Sequence, residues 1–358
     1  MPTIQDVARL AGVSTATVSR ALSGSRPVGA DLTRRVQEAA SQLGYRHNAL
    51  AQALRTQRSR TIGMVVPQIS NPFFPLLVEA VERRLQIDGV DLLLCDSHYN
   101  LDVEARRLRT LTDRHVDGII ISPLHATDSA PAIRTAAGLV PVIQIDRQVE
   151  GLAGHWVGVD DAVGFGQLVD LLVARGRRRL VFVSSELDNS SARDRAQAFE
   201  KSLARHGLEA AAPALLGRFD VSWGLEAARR LVEDFGDSGP SAGARGAGSG
   251  SSGSRSGAGG YGGPDGVVCG DDLIALGVLR GLSRAGVSVP DQVAVTGFDD
   301  IAFAEISDPP LTTMRQQWDV MADECARLLR QDPAGGSRRI AIAPLLQVRG
   351  STPRSLPR

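Results

Sequence analysis

The stretch from Thr3 to Leu22 constrains the fold of this chain more than any other. It reads TIQDVARLAGVSTATVSRAL, and one helical face carries four apolar residues: Ile4, Val7, Ala8 and Ala11. The helical pattern breaks at Gly12 and restarts at Ser14. Thr3 with Asp6 has the spacing of a capping box, and Ser14 is placed to cap the second helix. Two short helices joined by a tight turn predict a helix-turn-helix.

The second of these helices has the face that a DNA-reading helix needs. Val18, Ala21 and Leu22 lie on one side, which predicts that they pack inward. The opposite side is small and polar, and its members are Thr15, Ala16, Ser19 and Arg20. Side chains of this kind can meet base edges and phosphates in a major groove. We therefore expect this helix to read DNA.

The charge distribution supports a nucleic-acid partner for the amino-terminal segment. The whole chain has a formal net charge of zero, but residues 1–60 hold nine arginines against three acidic residues. This segment therefore carries +6 and the remainder −6. Neutralisation of phosphates by such a basic segment provides most sequence-independent DNA affinity. A solvated charged face would also explain a basic stretch alone, but not the two-helix pattern inside it.

Two further helical patterns complete the first sixty residues. A third helix is predicted from about Leu32, with Gly44 as its stop. The stretch NALAQAL, residues 48–54, is predicted to form one or two helical turns with Leu50 and Leu54 on one side. A helix this short is unstable alone in water, so it needs DNA or a second chain to fold against.

From Thr61 onward, short apolar strands alternate with helix-like stretches. A first series of predicted strands comprises residues 62–67, 91–96, 118–123 and 141–146. A second series comprises residues 180–185, a weaker 215–219, 266–270 and 293–298. Continuous apolar strands joined through helices predict a parallel sheet that is covered on both faces. The fold class is therefore α/β, with two doubly wound lobes behind a helical headpiece.

Polar and aromatic residues follow the ends of these strands. Ligands of such sheets bind beyond the carboxyl ends of the strands. The residues found there are Asn71, Phe73, Phe74, Asp146, Arg147, Asp160, Arg195, Phe219, Asp271, Asp272, Asp299 and Asp300. Any one of them by itself is more simply a helix cap or a turn residue. Together, carboxylates, arginines and aromatic rings suit a polyhydroxylated ligand such as a sugar.

Composition and missing motifs argue against other classes of protein. The cysteines Cys95, Cys269 and Cys325 are odd in number and far apart, which indicates reduced thiols in a cytoplasm. No signal peptide and no membrane-length apolar run is present, so no membrane partner is expected. The chain lacks a phosphate loop, an HExxH motif, paired metal-binding cysteines and a Gly-x-Ser-x-Gly elbow. We expect neither an enzyme nor a cofactor or metal.

Domain boundaries follow from these changes in pattern. We predict a helix-turn-helix headpiece over residues 1–46, a hinge over 47–59, a ligand and dimerisation domain over 60–350 and a tail over 351–358. Within the ligand domain, the N-lobe comprises about 60–158 plus 318–344, and the C-lobe about 159–317 plus 345–350. Residues 236–264 are dominated by Gly and Ser, which predicts a flexible surface insertion.

Five stretches, in this order, resemble the lactose/galactose repressor (LacI/GalR) family over nearly the whole chain. They are TIQDVARLAGVSTATVSRAL, NALAQAL, IGMVVPQISNPFF, RHVDGIIISP and VTGFDDIAFAEISDPPLTTMRQ. The resemblance implies a headpiece followed by a two-lobed ligand domain like that of periplasmic binding proteins. It also implies double-stranded operator DNA and a small-molecule effector as partners.

The resemblance carries roles to individual positions. Thr15, Ala16 and Arg20 match base-reading positions, and Thr17 and Ser19 match phosphate-contacting positions. Leu54 matches the leucine that wedges into the minor groove, with Leu50 and Ala51 beside it. The effector-contacting positions are matched by Phe73, Phe74, Asp146, Arg147, Asp160, Arg195, Phe219, Asp271, Asp299 and Gln316. This chain departs from the family pattern at Ser23, Asp271 and Ala198, and through its Gly/Ser insertion.

The resulting hypothesis is a ligand-responsive transcriptional regulator, favoured as a repressor, that binds a pseudo-palindromic operator. One headpiece reads only a half-site, so a homodimer is expected. No leucine heptads follow the last strand, which favours a dimer over a tetramer. The carboxylates favour a sugar effector, whereas Phe73, Phe74 and Phe219 leave a purine as the alternative. A solute-binding protein shares the two-lobed fold, but the basic headpiece argues against it.

Overall fold

The computed structural model describes residues 2–23, 28–45, 59–235, 261–331 and 336–352. The chain divides into two compact units, Met1–Ser59 and Arg60–Arg358. The predicted hinge residues Leu50, Ala51 and Leu54 lie outside the described residues, as does the stretch 236–260 of the Gly/Ser insertion.

The described part of the first unit consists of three helices around a small apolar core. They are α1 (Ile4–Ala11), α2 (Thr15–Ser23) and α3 (Ala30–Leu43). The predicted capping box is present, because the Asp6 amide donates to Thr3 Oγ1 and the Thr3 amide donates to Asp6 Oδ2 at 2.9 Å. The helix α3 begins two residues before the predicted start. The core consists of Val7, Ala8, Ala11, Val18, Val36, Ala39 and Ala40.

The turn between α1 and α2 depends on a glycine. Gly12 has φ +63°, a left-handed conformation that glycine adopts without strain. The guanidinium of Arg35 on α3 donates to the carbonyl of Ala11 at 2.7 Å, which ties the end of α1 to α3. The Ser14 side chain caps α2 by accepting from the Thr17 amide at 3.1 Å. These local contacts hold α1 and α2 in the predicted helix-turn-helix arrangement.

The second unit alternates strands and helices. Its helices are α4 (Phe73–Ile87), α5 (Leu101–Asp113), α6 (Ala130–Ala137), α7 (Asp161–Ala174), α8 (Ser190–Arg205), α9 (Val221–Phe235), α10 (Asp272–Arg284), α11 (Ala302–Ile306) and α12 (Trp318–Leu329). Its strands are β1 (Thr61–Val66), β2 (Asp91–Asp96), β3 (Gly118–Ile121), β4 (Val142–Ile145), β5 (His155–Val159), β6 (Leu180–Ser185), β7 (Leu215–Gly217), β8 (Gly266–Cys269), β9 (Ala294–Thr296), β10 (Thr313–Arg315), β11 (Arg339–Ile342) and β12 (Leu345–Gln347).

The strands form two parallel sheets, one in each lobe. The N-lobe sheet has the order β11-β5-β4-β3-β1-β2, and the C-lobe sheet has the order β7-β6-β8-β9. Helices cover both faces of each sheet, which buries continuous runs such as Leu180–Ser185 completely. The antiparallel pair β10-β12 packs through Met314 and Leu346 with the C-lobe core.

The chain passes between the lobes between β5 and α7, between β10 and α12, and between β11 and β12. The strand β11 joins the N-lobe sheet, whereas β12 pairs with β10 against the C-lobe core. Within the described residues, no helix is long and apolar enough to cross a membrane.

Three segments differ from the sequence-based expectation. The strand predicted to end at Phe219 ends at Gly217, so Phe219 lies in the following loop. Tyr261 was expected in the flexible insertion, but its ring packs against the C-lobe core, and Arg179 donates to the Gly262 carbonyl at 2.6 Å. Residues 351 and 352 were expected in a tail, yet both are buried, because the Ser351 hydroxyl bonds to the Val295 carbonyl in the C-lobe.

Candidate functional site

The carboxyl ends of strands from both lobes surround a small cavity. Its lining comprises Asn71, Phe73, Phe74, Asp146, Arg147, Ser191, Arg195, Phe219, Asp271 and Asp299. The free volume is about 20 Å³, which is about the space of one water molecule. Direct contacts between the lobes keep the cavity small, such as the hydrogen bond from the Ala126 amide to the Asp188 carbonyl at 2.9 Å. The structure thus brings eight of the ten predicted effector residues together at one cavity.

The aromatic wall of the cavity is built at the start of α4. Asn71 accepts from the Phe73 amide at 3.0 Å and so holds the turn that begins the helix. Phe73 and Phe74 are both buried and meet edge to face, with ring centroids 4.9 Å apart. Phe73 also contacts Trp318 on α12. The turn at Asn71 and the Trp318 ring on α12 therefore fix the position of Phe73, and Phe73 in turn packs against Phe74.

Asp146 follows β4 in a left-handed backbone conformation, with φ +61°. The Asp146 amide donates to the Val157 carbonyl, and the Trp156 indole donates to the Asp146 carbonyl at 3.1 Å. The carboxylate accepts from the hydroxyls of Ser122 at 3.1 Å and Ser191 at 3.4 Å. Because Ser191 belongs to the C-lobe, this carboxylate links the two lobes.

Arg147 lies next to Asp146 and is almost completely buried. The centre of its guanidinium is 6.0 Å from the Phe74 ring, 5.9 Å from the Tyr99 ring and 5.5 Å from the Phe219 ring. Its nearest carboxylate is that of Asp146, at 3.8 Å. The aromatic faces stabilise the cation while leaving its planar N–H donors available to a ligand.

Arg195 on α8 organises the C-lobe side of the cavity. Its Nε donates to Asp161 at 3.0 Å, and one terminal nitrogen donates to the Gly270 carbonyl at 2.7 Å. The other terminal nitrogen is 3.6 Å from Asp299. Burial raises the pKa of Asp161 to about 7, although Arg195 opposes this shift. These buried charges have lost their contacts with water, so their hydrogen bonds and ion pairs with one another must compensate for the loss.

Two further carboxylates give the cavity an excess of hydrogen-bond acceptors. Asp271 caps α10 by accepting from the Ile274 amide at 2.8 Å, and burial raises its pKa to about 6. Burial also raises the pKa of Asp299 well above its ordinary value, and Gln316 donates to this carboxyl group at 2.7 Å. Such a lining favours a ligand rich in hydroxyl donors.

The two remaining predicted effector residues lie elsewhere. Asp160 is a half-exposed helix cap whose carboxylate accepts from the Val163 amide at 3.0 Å, and it does not line the cavity. Gln316 is buried behind Asp299 and reaches the cavity only through that residue. Ser191 was not predicted, although it lies four residues before Arg195 and therefore on the same face of α8.

The candidate DNA-reading surface lies on α2 in the headpiece. Thr15, Ala16 and Arg20 are exposed, while Val18 is completely buried. Thr17 and Ser19 are half-buried. The outward face is therefore the one that the sequence predicts, and its side chains can enter a groove without apolar bulk.

Comparison with known proteins agrees with this architecture. Residues 3–48 match the lacI family of bacterial regulatory proteins, and residues 59–251 match the periplasmic binding proteins and sugar binding domain of the LacI family. Residues 169–352 also match a periplasmic binding protein-like domain.

Individual relatives extend over nearly the whole chain. The ribose operon repressor of Escherichia coli (strain K12) is 30% identical over 98% of this chain and 100% of its own length. The structure of the lac repressor dimer bound to operator and the anti-inducer ONPF has a TM-score of 0.82 at 24% identity, covering 98% of this chain and 99% of that one. The complex of the transcriptional regulator CelR with cellobiose has a TM-score of 0.69 at 29% identity, covering 98% and 100%.

The headpiece, the two-lobed unit and these full-length matches lead to one conclusion. The chain belongs to the LacI family of bacterial regulatory proteins and is a ligand-responsive, DNA-binding transcriptional repressor rather than an enzyme.

Proposed function

We propose that this repressor is a homodimer whose two headpieces read the half-sites of a pseudo-palindromic operator, and that a sugar bound between the lobes changes its affinity for DNA. The observation that carries the effector assignment is the cavity lining, where acidic acceptors from both lobes converge with two arginines and three phenylalanine rings. A ligand that contacts both lobes binds more tightly to one arrangement of the lobes than to another, and so it favours that arrangement. We place this activity in the cytoplasm.

For DNA recognition, we propose that Thr15, Ala16 and Arg20 contact bases and that Thr17 and Ser19 contact phosphates. Arginine forms two hydrogen bonds with the edge of a guanine, so Arg20 provides much of the discrimination between operator sequences. The hinge residues Leu50, Ala51 and Leu54 complete the proposed reader, with Leu54 wedged into the minor groove.

For the effector, the acidic residues favour a sugar over a purine. Asp146, Asp271 and Asp299 all line the cavity, and a carboxylate accepts hydrogen bonds from sugar hydroxyls. The ribose operon repressor and the regulator solved with cellobiose are relatives whose names refer to sugars. A purine is the second candidate, because Phe74 and Phe219 could bind the faces of a planar base.

For the response, we propose that the effector changes the angle between the lobes. The Asp146 to Ser191 hydrogen bond crosses between the lobes at the cavity, so a ligand there competes with a contact of the closed arrangement. A change in lobe angle alters the spacing of the two hinge segments in the dimer. Short hinge helices are marginally stable and can form or melt in response.

The effector is tested by a thermal-shift screen of pentoses, hexoses, disaccharides and purines, followed by fluorescence anisotropy on a selected operator. We expect at least one sugar to raise the melting temperature and to change operator affinity. A response to hypoxanthine or guanine alone would exclude the sugar. If every ligand that binds leaves operator affinity unchanged, the proposed response fails.

The DNA contacts are tested with two variants on a panel of operator sequences. Arg20→Ala should cost about 1–3 kcal/mol in operator binding and relax specificity at one base pair. Leu54→Ala should weaken binding through lost kinking of the operator centre. Identical behaviour of the two variants across the operator panel would contradict this division of roles.

A further inference from the structure

A second and much larger cavity lies on the outer side of the candidate effector cavity. Its volume is about 880 Å³, and its lining comes from loops after the strands of both lobes. Arg147 and Phe219 line both cavities and so form the wall between them. The inner cavity has room for about one water molecule, whereas the outer one exceeds the space that one sugar ring requires. Most of the free space in the cleft between the lobes therefore lies in the outer cavity, on the far side of Arg147 from the inner one.

The outer cavity is lined by an exposed aromatic ring, which stands on a loop that hydrogen bonds keep in place. Tyr99 is 41% exposed although its ring lies 5.9 Å from the Arg147 guanidinium. His98 and Tyr99 both adopt left-handed backbone conformations, with φ +53° and +51°. The Tyr99 amide donates to the Pro67 carbonyl at 3.0 Å, and the His98 amide donates to Asp96 at 2.7 Å. Non-glycine residues remain in this conformation only where neighbouring contacts hold them.

The polar lining of the outer cavity has the character of a site for neutral polyhydroxyl groups. It includes the acidic residues Asp102, Glu186, Asp188 and Asp220 against two arginines, Arg147 and Arg218. These carboxylates outnumber the arginines by two, and such an acidic lining repels phosphorylated sugars and nucleotides. Acidic acceptors beside an exposed aromatic face match the hydroxyl groups and apolar ring face of a sugar.

We propose that the outer cavity is a second sugar subsite and that the effector is a disaccharide or a longer neutral saccharide. One ring takes the place of the contact between Ser191 and Asp146 and so enlarges the inner cavity, and the next ring stacks on Tyr99. Arg147 lies between the two rings and donates hydrogen bonds to both. This inference rests on the proposed sugar effector, because it assigns the length of that ligand.

The test measures dissociation constants by isothermal titration calorimetry on the full-length protein. The probes are neutral disaccharides, including cellobiose, maltose, lactose, trehalose and sucrose, together with their component monosaccharides. We expect at least one disaccharide to bind about tenfold or more tightly than either of its components, because only it occupies both cavities.

Three variants locate the second ring. Tyr99→Ala should weaken binding of that disaccharide roughly five- to tenfold and change monosaccharide binding less than about twofold. Tyr99→Phe, which keeps the ring, should bind both as the wild type does. Leu139→Ala removes an exposed apolar side chain that lines neither cavity, and should leave both affinities unchanged.

The outcomes separate this inference from the function on which it rests. If a monosaccharide binds as tightly as every disaccharide and Tyr99→Ala has no selective effect, the second subsite is refuted while the sugar effector stands. If Tyr99→Ala weakens both ligands equally, Tyr99 acts only through Arg147 and the subsite is likewise refuted. If purines bind and no sugar does, the sugar effector itself is wrong and the subsite falls with it.

Discussion

Replacing Asp271 by asparagine should stabilise the protein at neutral pH. Asp271 is 3% exposed, and burial raises its pKa from 3.8 to about 6. Each pKa unit corresponds to about 1.4 kcal/mol between the protonation states, so the ionised carboxylate costs about 3 kcal/mol at pH 7. Asparagine keeps a side-chain oxygen that can accept from the Ile274 amide, which caps α10. Asp271→Asn should therefore raise the free energy of unfolding by up to about 3 kcal/mol at pH 7.

The sign of the pH dependence follows from the raised pKa. Between the ordinary pKa and the raised one, the folded state binds the Asp271 proton and the unfolded state does not. The destabilisation of the wild type by ionised Asp271 therefore decreases as the pH falls through 6, and it is absent below about pH 4. The advantage of Asp271→Asn should shrink to about 1 kcal/mol at pH 4.5.

The measurement is urea unfolding of both proteins, followed by circular dichroism, at several pH values from 4.5 to 8. Asp160→Asn is a matched control, because Asp160 also caps a helix but is half-exposed and lies outside the cavity. It should change the unfolding free energy little at any pH. A variant Asp271→Asn that is no more stable than the wild type at pH 7, or whose gain does not depend on pH, would refute the reasoning.

Three further substitutions test other contacts. Gly12→Ala places a side chain in a left-handed turn and within 3.0 Å of Arg35, so it should cost about 1–2 kcal/mol and speed amide hydrogen exchange in α1; unchanged exchange would contradict this. Arg195→Ala leaves the buried Asp161 without its cation and should cost about 3–5 kcal/mol in urea unfolding, whereas a loss below about 1 kcal/mol would show that the ion pair is not needed. Leu77→Ala opens a cavity under α4 and should cost about 2–5 kcal/mol by the same measurement, and a neutral effect would indicate that the site collapses.

The site was only partly predictable, and the reason is visible in three aspartates. Asp146, Asp160 and Asp271 all follow strand ends, and sequence pattern cannot separate them. In the structure, Asp160 turns to its own helix, and Asp271 caps a helix while also lining the cavity. Asp146 turns toward Ser122 and toward Ser191, 45 residues away in the chain. A short polar side chain chooses among partners that only folding brings near.

Tyr99 and Tyr261 were missed for a related reason. Tyr99 stands in a loop, and its place beside Arg147 depends on two left-handed residues held by Pro67 and Asp96. Tyr261 stands at the end of a Gly/Ser stretch, where composition predicts no packing. Its ring nevertheless finds apolar contacts on the C-lobe core. Long-range packing overrides local composition at both positions.

The sequence by itself determined the elements whose causes lie within a few residues. Helical spacing and caps define α1 and α2, and uninterrupted apolar runs define the buried parallel strands. Tertiary structure alone decided which strand ends share a cavity, how little free volume remains inside it and where the larger space lies. Those properties depend on contacts between the lobes, such as the Asp146 to Ser191 hydrogen bond, and on the position of the Arg147 side chain between aromatic rings. Such contacts join residues distant in sequence, so no local pattern encodes them.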